Sequence, residues 1–270
     1  MLDLFNTPSP QQANYQEFYG GGTTRDWIKP RGASMVRFML IGAGGAGGSG
    51  SSTIGGGGGG SGAVTSWIGP AIFIPDELRI TIGLGGTPGV NGTASSVIYQ
   101  AKDGTGYTLL TADGGVSGLS ASTAGGTGGV AMTNNPFGAS GILTSTSGQD
   151  GTSGSTTGAG VNQTASTTTF LSGGAGGAGG AANTGGSVTP NYGYTALPAT
   201  TAGGTVVGAN GYFITQPVLV GCGGAGGTTN TTGTGSTGGR GGIGCGGGGS
   251  GEDALAGGRG GDGAVFIWAW

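Results

Sequence analysis

The chain has 270 residues, 74 of them glycine, with 7% charged residues and a formal net charge of −3. With eight Lys and Arg in all and no apolar run approaching a membrane span, neither a nucleic-acid partner nor membrane insertion is expected. Collagen is excluded, because there are only 10 prolines and the repeat is Gly-Gly-x, not Gly-x-y.

Residues 1–22 lack the glycine period and carry apolar side chains around a Pro-Ser-Pro turn. They read as an N-terminal attachment arm that docks on another subunit through Leu4, Phe5, Tyr15, Phe18 and Tyr19, or else as a frayed terminus. No basic region precedes an apolar stretch there, so no secretory leader is expected.

The pattern then turns to strand. Met35 to Ile41 follows a turn at Lys29-Pro30-Arg31-Gly32, and Ala63 to Ile68 is a second strand. In a third, Leu78, Ile80 and Ile82 alternate with Arg79 and Thr81. Ser95 to Gln100 and Tyr107 to Ala112 read as a hairpin across Asp103-Gly104-Thr105-Gly106. Tyr212 to Ile214 and Val218 to Val220 are short strands, and Ala264 to Trp270 closes the chain. The alternation predicts a core of Val36, Phe38, Leu40, Leu78, Ile80, Ile82, Val97, Leu109, Val265 and Ile267.

Glycine blocks at 42–62, 114–129, 173–180, 221–227, 238–251 and 257–263 separate the strands. The cleanest repeats Gly-Gly-Ala from Gly173 to Ala181. Three residues per turn is the period of a polyproline II helix, which at about 3.1 Å per residue would span about 28 Å here. Such a helix has no internal hydrogen bonds, so residues without Cβ let neighbouring helices bond through their backbones. Gly174 and Gly177 are expected to face neighbours, and Ala175 and Ala178 to lie on an outward edge. Residues 23–270 therefore read as one all-β domain: an antiparallel, jelly-roll-like β-sandwich fused to a polyglycine II bundle, with essentially no α-helix.

Two spans, 130–172 and 183–217, are instead rich in Thr, Ser and Asn. Polar loops on a rigid frame are where binding concentrates. The amides and aromatic faces of Asn134, Asn135, Phe137, Tyr192 and Tyr194 suit a sugar or an outer-membrane protein, and the low charge favours a neutral partner. Plain surface loop is the alternative.

Other motifs carry less. Gly42-Ala43-Gly44-Gly45-Ala46-Gly47 matches G-x-G-x-x-G after a strand, but Gly55 to Gly60 follows where a dinucleotide site needs a helix. Gly257-Gly258-Arg259-Gly260-Gly261-Asp262 resembles one calcium-binding nonapeptide, yet a single copy builds no roll. It reads better as a polyglycine helix with Arg259 and Asp262 on one edge. Cys222 and Cys245 are either disulfide-bonded or buried thiols. There is no histidine, and no Ser, Cys or carboxylate pair has a catalytic setting. Neither an enzyme nor a metal or cofactor is expected.

The order of features resembles the glycine-rich domains at the ends of phage tail fibres. The resemblance runs through Trp27-Ile28-Lys29-Pro30, Val36 to Gly48, Gly55 to Ile68, Ile80-Thr81-Ile82-Gly83-Leu84-Gly85-Gly86, Ser95-Ser96-Val97 and Gly258 to Ile267. It covers residues 23–270. A similar module looks to be shared with the ectodomain of the anaplastic lymphoma kinase receptor family, and T-even-type tip adhesins also use a polyglycine II sandwich. The resemblance implies a virion structural protein assembled in the host cytoplasm, namely a tail fibre or fibre-tip adhesin that mediates host-cell recognition. A capsid-decorating or other structural virion protein without receptor binding is the alternative. The implied partners are other virion proteins, a host surface glycan or outer-membrane protein, and further copies of the same chain.

Overall fold

The computed structural model describes residues 14–164, 169–190, 207–215, 219–230, 232, 234–253 and 256–270. In chain order the longer strands are β1 (Asn14–Phe18), β2 (Thr24–Ile28), β3 (Met35–Ile41), β4 (Val64–Pro70) and β5 (Glu77–Thr81). They continue with β6 (Ser95–Gln100), β7 (Gly106–Ala112) and β8 (Ile142–Thr146). Four two-residue strands follow, β9 (Gln163–Thr164), β10 (Val188–Thr189), β11 (Phe213–Ile214) and β12 (Val220–Gly221), before β13 (Ala264–Ala269). Among the described residues there is no α-helix, only 3-10 turns at Ala71–Phe73 and Gly138–Ser140.

Two antiparallel sheets make a sandwich, one ordered β1-β13-β3-β4-β8 and the other β2-β5-β6-β7. Alternation puts Val36, Phe38, Leu40, Val265 and Ile267 of the first sheet against Leu78, Ile80 and Val97 of the second, all at most 1% exposed. Trp27 and Trp67 join them, with Phe38 between: its ring centroid lies 5.6 Å from Trp27 and 6.2 Å from Trp67. Thr65, fully buried on β4, donates to the Thr111 carbonyl at 2.7 Å and so ties the sheets by a polar bond.

One predicted core residue is displaced. The β6–β7 register shifts at Val97/Ile98, so that Val97 pairs with Leu110 and Ile98 with Thr108. This β-bulge leaves Leu109 as the extra residue and turns Leu110 inward, where it is fully buried. Strict period-two counting cannot see it.

The glycine blocks pack side by side below the sandwich. The segment 55–63 shows the rule. Gly55, Gly58 and Ser61 donate to Ser155, Thr152 and Gln149; Gly56, Gly59 and Gly62 donate to Ser250, Gly247 and Gly244; Gly60 and Ala63 donate to Val116 and Asp113. Its carbonyls accept from three further segments, through Gly45 and Gly48, Gly174 and Gly177, and Gly126 and Gly129. Each set advances by three residues, so a three-fold helix sits inside six neighbours, the arrangement that period three predicts. Dense backbone bonding of this kind offsets the entropy lost in ordering so much glycine.

Position in the bundle decides which residues face out. The 124–129 segment exposes Ala124 and Thr127 while Gly126 and Gly129 are buried, an edge that repeats every three residues. The 173–178 segment has no such edge. Ala175 and Ala178 are fully buried, which corrects the expectation that they face outward. Ala175 donates to Gly224 and Ala178 to Gly227, and Ala175 packs with Val188 and Cys222. An interior helix has neighbours on all sides.

Residues 14–22, set apart by composition as an arm, continue the sandwich. β1 pairs antiparallel with β13 from Asn14↔Ala269 to Phe18↔Val265, and Phe18 packs on the core. Tyr15 stacks on Trp268 at 5.1 Å, Tyr19 meets Phe266 edge-on at 5.8 Å, and Arg37 sits over Trp268 at 5.2 Å. Composition could not reveal this, since an edge strand needs no glycine. Leu4 and Phe5 lie outside the described residues.

Candidate functional site

Within the polar span 130–172, Gly148, Gly151 and Gly154 recur every three residues. A Cβ on each would overlap the carbonyls of Ser61, Gly58 and Gly55 in turn. The glycines therefore seat this stretch against the 55–63 helix and leave Gln149, Asp150 and Thr152 between them. A second wall comes from Asn162, Gln163 and Thr164, held where β9 runs parallel to β10. Between the walls lies a groove of about 680 Å³, with Thr146, Ser147 and Thr169 also lining it.

Two glutamines strap the groove from opposite sides. Gln149 Nε2 donates to the Thr164 carbonyl at 2.6 Å, and Gln163 Nε2 donates to the Asp150 carbonyl at 3.2 Å. Because each nitrogen is fixed on a carbonyl, each Oε1 is the remaining amide atom, and both are buried without a donor among the described residues. Gln163 is only 2% exposed. A buried acceptor left unmet costs about 1–3 kcal/mol, a penalty set against the two strapping bonds. Among the described residues Asp150 is the one charged residue in the lining, and its Oδ1 already accepts the Gly128 N–H at 2.7 Å. The lining is mostly hydroxyls and amides, which suits a neutral ligand. Period-three glycine spacing at 148–154 could have located the first wall from sequence; the place of the second is set by the parallel pairing of β9 with β10.

A family model for the glycine-rich domain matches residues 19–270, nearly the whole chain. The chain belongs to the glycine-rich domain family. No curated protein matches it.

In this glycine-rich domain the residues singled out from sequence have diverse roles. Asn134 is exposed. Asn135 is a turn former: its Nδ2 donates to the carbonyls of Gly138 at 2.7 Å and Gly141 at 3.2 Å, and its Oδ1 accepts the Phe137 N–H at 3.1 Å. Phe137 covers Trp67 with centroids 4.6 Å apart and packs on the core, so its ring is committed to folding. Tyr192 and Tyr194 lie outside the described residues. None of the three described residues lines the groove. Tyr15 and Tyr19 are on the outer face of the five-stranded sheet. Burial, followed by the Glu17 carboxylate, raises both phenols, Tyr19 to about 12. Arg259 and Asp262 do share an edge, as an ion pair of 2.8 Å. Among the described residues no three His, Cys, Asp or Glu gather as metal ligands, and no helix is long and apolar enough to cross a membrane.

Cys222 and Cys245 are free and buried. Burial pushes both thiols up, Cys222 to about 12 from an ordinary 9.0. Folded, these thiols keep their protons where the unfolded chain releases them. The stability gained from the neutral thiols is full below about pH 9 and is lost as pH rises toward about 12, by about 1.4 kcal/mol per pH unit for each thiol. Urea unfolding at rising pH should show this decline, and Cys222→Ala should reduce its slope by about half, leaving the Cys245 contribution. The native protein should also resist thiol alkylation at neutral pH and react fully once unfolded.

Proposed function

We propose that this glycine-rich domain is a virion structural protein, a tail fibre or fibre-tip adhesin, and that the groove between residues 146–152 and 162–164 meets a neutral host-surface ligand. The observation that carries the reading is the groove itself, whose wall of Ser, Thr, Asn and Gln includes a single charged side chain among the described residues. The polarity of the molecule supports it. The remote end of the sandwich, where Asn14 pairs with Ala269 and Met35 with Pro70, exposes Ile28 (71%), Ile72 (83%) and Phe73 (51%). That end is suited to docking on other virion proteins, and β1 begins there. The groove opens on the bundle side, beyond Thr146, which pairs with Val64 at the junction. The resemblance to tail-fibre ends supplies the setting.

The test is adsorption by particles carrying Thr164→Trp. Thr164 is exposed in the groove wall, and its backbone, not its side chain, holds Gln149. The bulky ring should block adsorption while particles assemble and immunogold labelling still places the protein on them. Normal adsorption and host range with normal incorporation would sink the recognition reading and leave a structural component. Labelling on heads instead of tails would remove the fibre assignment.

A further inference from the structure

The pentapeptide Gly-Gly-Arg-Gly-Gly occurs twice, at 238–242 and at 257–261. The bundle sets the two copies side by side. Gly241 donates to the Arg259 carbonyl at 2.9 Å, and a Cβ on Gly258 or Gly261 would overlap the carbonyls of Gly239 and Gly242. The flanking glycines thus belong to the interface between helices, and the Arg positions fall on the outer edge of each. Arg240 is exposed and Arg259 half-buried. Both arginines line one pocket of about 140 Å³, together with Asp262.

The charges in that pocket do not balance. Asp262 Oδ1 pairs with Arg259 Nη2 at 2.8 Å and also accepts the Gly85 N–H at 2.8 Å. Arg240 has no side-chain hydrogen bond or ion pair among the described residues, and Arg259 Nε is buried without an acceptor. Two cations face one carboxylate, and two guanidinium groups have donors to spare. The other six Lys and Arg all lie at or before Lys102, so every cation of the later glycine blocks is gathered here. Like charges on adjacent helices cost stability unless an anion joins them.

We propose that the paired Arg240 and Arg259 form an anion site on the flank of the bundle, taking an oxyanion group of phosphate or carboxylate type. Planar guanidiniums match both geometries through paired N–H···O bonds. The site is separate from the groove, shares no residue with it, and does not depend on how the groove functions.

The experiment is titration of the intact, Arg-labelled protein, followed by NMR of the guanidinium N–H signals. The probes are inorganic phosphate, glucuronate and, as a neutral control, glucose. Saturable shifts of the Arg240 and Arg259 signals with phosphate, with glucuronate or with both are expected in the millimolar range, weakening as salt rises. Phosphate alone would mark a tetrahedral ligand, glucuronate alone a planar one. Arg240→Gln should weaken binding about tenfold or more without altering the melting temperature, since its side chain holds nothing else. Arg240→Lys should retain part of the affinity, and Asp262→Asn should tighten binding by removing the competing carboxylate. No response to either anion, an equal response to glucose, or binding unchanged in Arg240→Gln would each overturn the proposal. Because Arg240→Gln leaves the Arg259–Asp262 pair intact, a folding failure of Asp262→Asn does not blunt the test.

Discussion

Gly59→Val should leave no soluble folded protein, and Gly59→Ala should already exceed about 4 kcal/mol, a class of damage that single substitutions rarely reach. Gly59 donates to Gly247 at 2.8 Å and accepts from Gly174 at 2.8 Å. A Cβ there would overlap the carbonyls of Gly45 and Ala46. Those atoms are backbone, so no rotamer change relieves the overlap. The 42–48 segment would have to move, and it donates in turn to Thr93, Gly258, Gly261, Gly57, Gly60 and Ala63. One methyl therefore loads a lattice of bonded helices. Against a total stability of about 5–15 kcal/mol, little remains. Ala124→Ser, on an exposed edge of the same bundle, should change stability by less than about 0.5 kcal/mol. Soluble yield and urea midpoints of the three variants decide the matter. A native-like midpoint for Gly59→Ala would show that the segments are not locked together.

The sequence made most of the strands legible because their burial has period two. Val36, Phe38 and Leu40 announce β3, and Leu78, Ile80 and Ile82 announce the next strand of the core. The three-residue glycine period announced the bundle, because only a residue without Cβ fits such close backbones. What escaped was set by position rather than by type. Leu109 gave way to Leu110 through a bulge, and bulges leave no compositional trace. Ala175 and Ala178 are buried because their helix is interior, a fact about neighbours distant in sequence. β1 and β8 are edge strands with mixed polar residues, so they read as arm and loop. The groove was legible only in outline. Its span fell within 130–172, but Gln149 and Gln163 matter because the fold brings 149 opposite 164 and 163 opposite 150. Of the residues chosen from sequence, Asn135 and Phe137 were attractive for the same polarity and aromaticity that a tight turn and a core lid use.

Phe38→Ala should cost about 3–5 kcal/mol, the range for emptying an aromatic site in a close-packed core. Phe38 is fully buried at the centre of β3, paired to Ile267 on one side and Trp67 on the other. Its edge-on contact with Trp27 at 73° crosses from one sheet to the other. Removing the ring therefore opens a cavity between the sheets, where neither can collapse without disturbing a strand register. The next link in this aromatic row responds in the opposite way to added volume. Gly69 and Gly141 both leave room for the Trp67 indole, and a Cβ on either would overlap its six-membered ring. Gly141→Ala alone should thus destabilise the protein, and Trp67→Leu alone should cost a cavity. Together they should cost less than the sum of the two, because the new methyl enters space the indole has vacated. A double-mutant cycle by urea unfolding measures this coupling. Strict additivity would mean that Gly141 is set by the turn that Asn135 builds and not by the ring it faces.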